Sequence, residues 1–128
     1  MAVRSGFPIL TTDDLDGLAA FYERAFDAER TYTFTGDDGA AAYVALAVGG
    51  AQLGIARGEV TAPHGRVALW FYVDDAADVD ATYRAAITAG ADPEAEPALM
   101  PWGERVAQVR DPDGLVVSVA APPTSTTP

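Results

Sequence analysis

Few side chains in this sequence could carry covalent or acid–base chemistry. The chain has no Cys and no Lys, and all eight cationic residues are Arg. Disulfides, thiol nucleophiles, thiolate metal sites and Schiff-base chemistry are therefore excluded. The single His, His64, is the only side chain whose ordinary pKa lies near neutrality. Acid–base chemistry would depend on carboxylates or hydroxyls, and the candidate groups are Glu104, Tyr43, Tyr72 and His64.

Aromatic side chains offer a different chemistry, the non-covalent binding of a flat molecule. In the apolar run Val67–Val73, strand alternation places Leu69 and Phe71 on the face towards a helix and Ala68, Trp70 and Tyr72 on the other face. Two interpretations stay open for Trp70 and Tyr72. They are ordinary core or dimer-interface packing, or they form a platform for a ligand, since both rings combine a large contact area with a polar group.

The elements that position these residues come from an internal near-repeat. A shift of 61 residues brings Asp13 onto Asp74, Asp14 onto Asp75 and Tyr22 onto Tyr83. Each copy is typical of a strand followed by an acidic helix start and an amphipathic helix. We expect Thr12 or Asp13 to cap the first helix, and Asp78 or Asp80 to open the second, which continues to about Ala89 and closes at Gly90.

Further strands complete both copies. The sequence predicts strands at Thr31–Thr35, Tyr43–Val48, Gln52–Arg57, Arg105–Arg110 and Leu115–Ala120, with a short strand and a loop within Asp92–Pro101. Turns are predicted at Gly36–Gly39, Gly49–Gly50 and Asp111–Gly114. The expected fold is α+β, with two βαβββ modules (about 5–57 and 66–121) that form an open half-barrel sheet with the helices outside. We expect residues 1–121 to form one domain and 122–128 to be a disordered tail.

The composition excludes some classes of binding partner. The chain has 128 residues, 49% of them hydrophobic, and a net charge of −11 that is spread along both halves. Such acidity should repel nucleic acid and attract cations at a distance. No apolar run approaches the length of a membrane span, and no signal-peptide core is present. We therefore expect a cytoplasmic protein that binds neither nucleic acid nor membrane.

Three motifs resemble the vicinal-oxygen-chelate superfamily, also called the glyoxalase, bleomycin-resistance and extradiol-dioxygenase superfamily. They are Thr12–Tyr22, the related Phe71–Asp75, and Pro101–Arg105 with Arg110–Gly114. The resemblance implies the fold described above and, in the enzymes, a divalent metal held by His and Glu from four strands. In this sequence the four ligand positions fall on Phe7, Ala68, Ser118 and, at or near it, Gly54. The resemblance therefore predicts neither a metal nor another cofactor.

The sequence is similar to the metal-free, bleomycin-resistance-like members in residues 5–11, 69–73 and 101–105. In that group the Trp of Pro-Trp-Gly, here Trp102, stacks on a planar part of the drug, and a Phe after an acidic pair clamps the other side. Here Gly39 follows the acidic pair, which leaves Phe34 or Tyr43 to complete the clamp. The alternative for Trp102 is packing at a dimer interface, since the resemblance also implies a homodimer.

The favoured hypothesis is a metal-free homodimer that sequesters a planar, cationic, antibiotic-type small molecule and carries no catalytic residue. The expected ligand-binding residues are Phe7, Phe34, Tyr43, Trp70, Tyr72, Trp102, Glu104, Gln108 and Ser118. The alternative is an enzyme of the superfamily (a lyase, isomerase or dioxygenase) with an atypical metal site or none.

Overall fold

A computed structural model describes residues 7–59 and 67–123. The chain divides into two compact units, Met1–Ala62 and Pro63–Pro128, which we call the N-terminal and C-terminal modules. His64, the segment that links the modules and the tail after Pro123 lie outside the described residues. No helix in the described part of the chain is long and apolar enough to cross a membrane.

Both modules have the βαβββ order that the near-repeat predicts, which confirms the α+β class. The N-terminal module contains β1 (Ile9–Thr12), α1 (Leu15–Phe26), β2 (Glu29–Thr35), β3 (Ala41–Val48) and β4 (Ala51–Arg57). The C-terminal module contains β5 (Ala68–Tyr72), α2 (Ala76–Thr88), β6 (Asp92–Leu99), β7 (Arg105–Arg110) and β8 (Val116–Ala121).

The two sheets have the same strand order. It is β1-β4-β3-β2 in the N-terminal module and β5-β8-β7-β6 in the C-terminal module. The first strand of each module runs parallel to the last, and the other neighbours are antiparallel. Neither sheet closes into a barrel, so each module exposes a sheet face that its own helix does not cover.

Each helix packs one apolar face onto its own sheet. Helix α1 buries residues spaced three or four apart, among them Leu18, Tyr22 and Ala25, and it contacts β3 and β4. Helix α2 buries Val79 and Ala86 and contacts β6, β7 and β8. Strand alternation then turns the remaining sheet positions to the open face, where the candidate site residues lie.

The helix starts differ from the sequence prediction. Asp14, and not Thr12 or Asp13, is the N-cap of α1, and its carboxylate accepts a hydrogen bond from the Gly17 amide. Thr12 is buried, and its hydroxyl accepts a hydrogen bond from the Asp14 amide, which fixes the residue before the helix.

Helix α2 also begins earlier than predicted, at Ala76, with Asp75 as its N-cap. Asp78 lies at the third helical position, where its carboxylate accepts from the Asp75 amide while Asp75 accepts from the Asp78 amide. This reciprocal pair is a capping box. Asp78 therefore takes part in the helix start without opening the helix, and Asp80 lies inside it.

Several strands are longer than predicted, among them β2 and β6, because hydrogen bonds to the neighbouring strands extend them. Strand β2 begins at Glu29, which pairs with Ala47. Strand β6 occupies Asp92–Leu99 even though it contains Pro93 and Pro97. Proline is tolerated there because β6 is the edge strand of its sheet and carries two register shifts.

Candidate functional site

Strand β5 presents two aromatic side chains on the open face of the C-terminal module. Leu69 is buried on the helix side, whereas Trp70 is 46% exposed and Tyr72 is 60% exposed. The two ring centroids lie 6.1 Å apart with planes inclined by 62°. These exposures exclude core packing of Trp70 and Tyr72 within the chain, whereas dimer-interface packing and a ligand platform both stay open.

A tight turn between β6 and β7 carries the third aromatic side chain. The Gly103 amide donates to the Met100 carbonyl at 2.9 Å, and the Met100 amide donates to the Glu104 carbonyl at 2.7 Å. Pro101 occupies the turn position whose φ a proline ring already fixes. Gly103 has a φ of 101°, a left-handed conformation that other residues adopt at a cost. Trp102 therefore stands at the tip of a defined turn, with 60% of its surface exposed.

The Glu104 carboxylate joins this turn to strand β5. The Trp102 indole nitrogen Nε1 donates a hydrogen bond to Glu104 Oε1 at 2.7 Å, and the Tyr72 hydroxyl donates one to Oε2 at 2.7 Å. Four of the predicted ligand-binding residues are thus brought together. We call Trp70, Tyr72, Trp102 and Glu104 the aromatic platform, in which Glu104 connects Tyr72 to Trp102 and the Trp70 ring contacts that of Tyr72.

Glu104 changes the acidity of the Tyr72 phenol. The hydrogen bond to the carboxylate, followed by partial desolvation and by the negative charge of Glu104, raises the pKa of Tyr72 above its ordinary value, while Trp70 exerts a smaller opposite effect. A phenol with a raised pKa stays protonated at neutral pH and acts as a hydrogen-bond donor. Tyr72 is therefore a poor general base in this arrangement.

Two further predicted residues form a polar pair beside the platform. Gln108 Nε2 donates to Ser118 Oγ at 3.0 Å, and Ser118 is only 2% exposed. Gln108 and Ser118 are register partners across β7 and β8, and Ser118 is also the register partner of Trp70. Direct partners share a face of the sheet, so this pair lies on the same face as the platform.

The remaining predicted residues lie in the N-terminal module. Phe34 on β2 and Tyr43 on β3 are register partners, and the Tyr43 ring lies 6.4 Å from that of Tyr32, centroid to centroid. Phe7 and Phe34 are largely exposed. Sequence analysis did not name Tyr32, although its position two residues before Phe34 places it on the same face.

The Tyr43 side chain lies over Gly54 on the open face of the N-terminal module. A Cβ atom added at Gly54 would approach the Tyr43 hydroxyl to 2.6 Å and an Ile9 side-chain carbon to 3.1 Å. Real Cβ atoms do not come this close to other atoms, so Tyr43 can hold this position only because residue 54 has no side chain.

The residues present do not fit the metal site that the family resemblance implies. In the N-terminal module, Phe7 is a hydrocarbon side chain and Gly54 has none. In the C-terminal module, Ala68 offers only a methyl group, and the Ser118 hydroxyl is engaged by Gln108. Within residues 7–59 and 67–123, no three His, Cys, Asp or Glu residues are grouped so that they could hold a metal ion.

A groove of about 470 Å³ lies elsewhere in the C-terminal module, between the start of α2 and the end of β8. Its lining includes Asp74, Asp75, Leu99, Arg105 and Pro123, but none of the platform aromatics. Arg105 is held there by Asp80, with two nitrogen–oxygen contacts of 2.7 and 3.0 Å. We place the candidate site at the platform, because the polar groups of Tyr72, Trp102 and Glu104 converge there and are joined by hydrogen bonds.

Comparison with known proteins identifies the family. The model of the Glyoxalase/Bleomycin resistance protein/Dioxygenase superfamily matches residues 4–119. No curated protein matches the sequence.

Solved structures with the same fold include several relatives of low sequence identity. TioX from Micromonospora sp. ML1 is 25% identical, with a TM-score of 0.72 over 92% of this chain and 98% of that one. The fosfomycin resistance protein FosX from Mesorhizobium loti is 20% identical, with a TM-score of 0.76 over 98% and 97%. A mutant of FosX from Listeria monocytogenes, crystallised with Mn(II) and a dihydroxypropylphosphonic acid, is 18% identical, with a TM-score of 0.78 over 97% and 94%. Since the family model spans almost the whole chain, the protein belongs to the Glyoxalase/Bleomycin resistance protein/Dioxygenase superfamily.

Proposed function

We propose that this protein binds and sequesters a flat, aromatic, antibiotic-type small molecule without a metal ion. The observation that carries the proposal is the aromatic platform, in which Glu104 holds Trp102 and Tyr72 in place with two hydrogen bonds of 2.7 Å. Exposed rings that are fixed before binding lose little conformational freedom when a ligand stacks on them. Sequestration needs affinity and no catalytic group.

The enzyme alternative has less support from the same side chains. Both oxygens of Glu104 accept hydrogen bonds, and the pKa of Tyr72 is raised, so neither is prepared to take a proton from a substrate. Tyr43 lies in the other module. His64, the last acid–base candidate, is outside the described residues.

The ligands of one similar structure need a different chemistry from the one that the aromatic platform offers. The Listeria FosX mutant was crystallised with Mn(II) and a phosphonic acid. The net charge of −11 and, at the platform, the carboxylate of Glu104 would repel an anionic ligand of that kind. We therefore propose an aromatic ligand in preference to a small anionic one.

The first test uses acridine, a flat aromatic base, as the probe at mildly alkaline pH, where it is uncharged. Because Trp70 and Trp102 are the only tryptophans, binding should quench the intrinsic fluorescence, and calorimetry gives the affinity. Stacking on one aromatic face contributes on the order of 0.5–1.5 kcal/mol. Trp102→Ala should then weaken binding by about three- to tenfold, while Phe26→Leu, a change in the α1 helix of the other module, should not.

Absence of binding of both acridine and the 10-methylacridinium cation to the wild-type protein would contradict the flat-ligand proposal. Unfolding of Trp102→Ala, seen as a loss of the far-ultraviolet circular dichroism, would instead assign Trp102 to an interface. Elemental analysis after expression in metal-supplemented medium tests the metal-free part of the proposal. One zinc, iron, nickel or manganese ion per chain would support the enzyme alternative.

We further propose that the protein forms a homodimer. The support is the open sheet face of the N-terminal module, where Phe7, Ile9, Tyr32 and Phe34 are each about half exposed. Association would cover this apolar surface. Light scattering at micromolar concentration should give about twice the chain mass of 13.3 kDa, and a stable monomer there would contradict the proposal.

A further inference from the structure

Glu104 carries a negative charge that no cation of the described chain offsets. The four ion pairs among the described residues are Arg30–Glu23, Arg57–Asp38, Arg105–Asp80 and Arg110–Glu94. The nearest Arg in sequence, Arg105, is held by the helix residue Asp80 through both of its carboxylate oxygens. Strand alternation therefore separates the two neighbours, with Arg105 on the helix side and Glu104 on the open face.

The partners of Glu104 fix its charge without neutralising it. Trp102 Nε1 and the Tyr72 hydroxyl are neutral donors, and each bond measures 2.7 Å, a length typical of hydrogen bonds to an ionised acceptor. A donor that is bonded to a carboxylate is polarised, so its ring becomes richer in electrons. Electron-rich faces of Trp and Tyr attract cations.

We propose that Glu104 makes the aromatic platform selective for planar cations over neutral molecules of the same shape. This inference rests on the proposed function, because it assumes that a flat ligand stacks on the platform. Glu104 acts partly as a positioning residue, through Trp102 and Tyr72, and partly through its own charge.

The test compares two probes that share one flat ring system and differ in charge and in a single N-methyl group. They are the 10-methylacridinium cation and acridine at mildly alkaline pH, and calorimetry gives both affinities. The wild-type protein should bind the cation about three- to thirtyfold more tightly, as expected for a cation over aromatic faces with a charge beside them. Raising the salt concentration should reduce this ratio, because the site is exposed to solvent.

Glu104→Gln separates the effect of the Glu104 charge from its effect on the positions of Trp102 and Tyr72. The Gln carbonyl oxygen can still accept from Trp102, and its amide nitrogen can donate to the Tyr72 oxygen, so the platform keeps its connections. The ratio of cation to neutral affinity should fall to near one, with little change in acridine binding. Glu96→Gln is the matched control, since it removes the same charge from a residue that lines a groove with Asp80 and Arg84 on the helix side. It should leave the ratio unchanged.

Glu104→Ala removes both hydrogen bonds, and it should weaken both probes by releasing Trp102 and Tyr72. If the wild-type protein bound neither probe, the proposed function itself would fail. If it bound both with equal affinity, or if Glu104→Gln kept the wild-type ratio, the flat-ligand function would stand and the role assigned to Glu104 would be wrong. If the ratio of cation to neutral affinity fell equally in Glu104→Gln and Glu96→Gln, the selectivity would come from the net charge of the protein. That result would likewise overturn the inference.

Discussion

The turns after the second strand of each module share their backbone hydrogen bonds and differ in the side chains that they carry. In the N-terminal module the Gly39 amide donates to the Gly36 carbonyl, and the Gly36 amide donates to the Ala40 carbonyl. The turn of residues 100–104 in the C-terminal module repeats both bonds, and both turns have a Gly with positive φ at the fourth position.

The side chains at the third and fifth positions make the difference. In the N-terminal turn these are Asp38 and Ala40, and the Asp38 carboxylate accepts from the Ala40 amide and pairs with Arg57. In the C-terminal turn they are Trp102 and Glu104, which bond to each other and onward to Tyr72. The Asp38 carboxylate of the N-terminal turn is thus paired within its own module, whereas the C-terminal turn holds the exposed ring of Trp102.

The first strands of the modules differ in the same way. A shift of 61 residues aligns Ile9 with Trp70 and Thr11 with Tyr72 on the open faces. On the helix sides, Leu18 aligns with Val79 and Ala25 with Ala86, and these two positions are buried and apolar in both copies. The modules therefore share two buried helix positions and differ at the open-face residues that a ligand could contact. This contrast supports the proposed binding site in the C-terminal module.

The largest expected effect concerns the repeated tyrosine. Tyr22 is fully buried and contacts Phe21 and Phe26, whereas Tyr83 is only partly buried beside Val79. Tyr22→Ala should therefore destabilise the protein by about 3–5 kcal/mol, and Tyr83→Ala by less than half as much. Urea unfolding followed by circular dichroism measures both. Equal losses would mean that the two helices are buried to the same extent in solution, contrary to the structure.

The next effect tests the shared turn. Ala at Gly39 or at Gly103 must adopt a positive φ, which costs roughly 1–2 kcal/mol. A Cβ at Gly103 would also lie 3.2 Å from Pro123 Cβ, whereas nothing lies within 4 Å of one at Gly39. We expect Gly103→Ala to be the more destabilising change in urea unfolding.

Only Gly103→Ala should in addition weaken the binding of acridine, because the strained turn would displace Trp102. Gly39→Ala is the matched control in the other module. A loss of acridine affinity in both variants would show that the two turns are not separate in function.

A smaller effect distinguishes the helix starts. Asp14 and Asp75 are equivalent N-caps, but only Asp75 belongs to a reciprocal capping box. Loss of an N-cap carboxylate costs about 1 kcal/mol. Asp14→Ala and Asp75→Ala should therefore cost similar free energies of unfolding, since each removes one side-chain hydrogen bond, whereas Asp78→Ala should cause a further loss in the C-terminal module that Gly17 in the other module cannot match. The comparison would fail if Asp78→Ala had no effect on the urea midpoint.

The sequence was sufficient to predict what depends on periodicity and repetition. The 61-residue shift predicts two βαβββ modules, and alternation along β5 correctly separates Leu69 from Trp70 and Tyr72. Element ends were less predictable, because they depend on contacts between segments. Asp14 and Asp75 are caps owing to the side-chain geometry at each helix start, and β6 runs through two prolines because β7 pairs with it.

The candidate site was predictable as a set of residue types and not as an arrangement. Sequence motifs named Tyr72, Trp102 and Glu104 separately, since no local pattern shows that residues 72 and 104 come within hydrogen-bond distance. The turn that reverses the chain after Leu99 and the pairing of β5 with β8 together create that contact. The position of Tyr43 across Gly54 depends in the same way on the register of two strands.

The smallest expected effect is a change in the acidity of Tyr72, the platform residue that aligns with Thr11 in the other module. Its hydroxyl donates to Glu104, and this bond, together with partial desolvation and the carboxylate charge, raises its pKa. Because the pKa is higher in the folded protein than in the unfolded chain, where it is about 10, the hydrogen bond stabilises the fold fully below that pH. The stabilisation is lost as the pH rises through the folded pKa.

The difference between the ultraviolet titrations of wild type and Tyr72→Phe isolates this phenol, and its midpoint should lie above that of the urea-unfolded protein. Glu104→Gln should return the midpoint towards the unfolded value, since the Gln amide nitrogen donates to the Tyr72 oxygen in place of accepting from it, and the amide carries no charge that repels the phenolate. A midpoint unaffected by Glu104→Gln would show that Tyr72 and Glu104 are apart in solution, and the aromatic platform would then lose the connection that distinguishes its module.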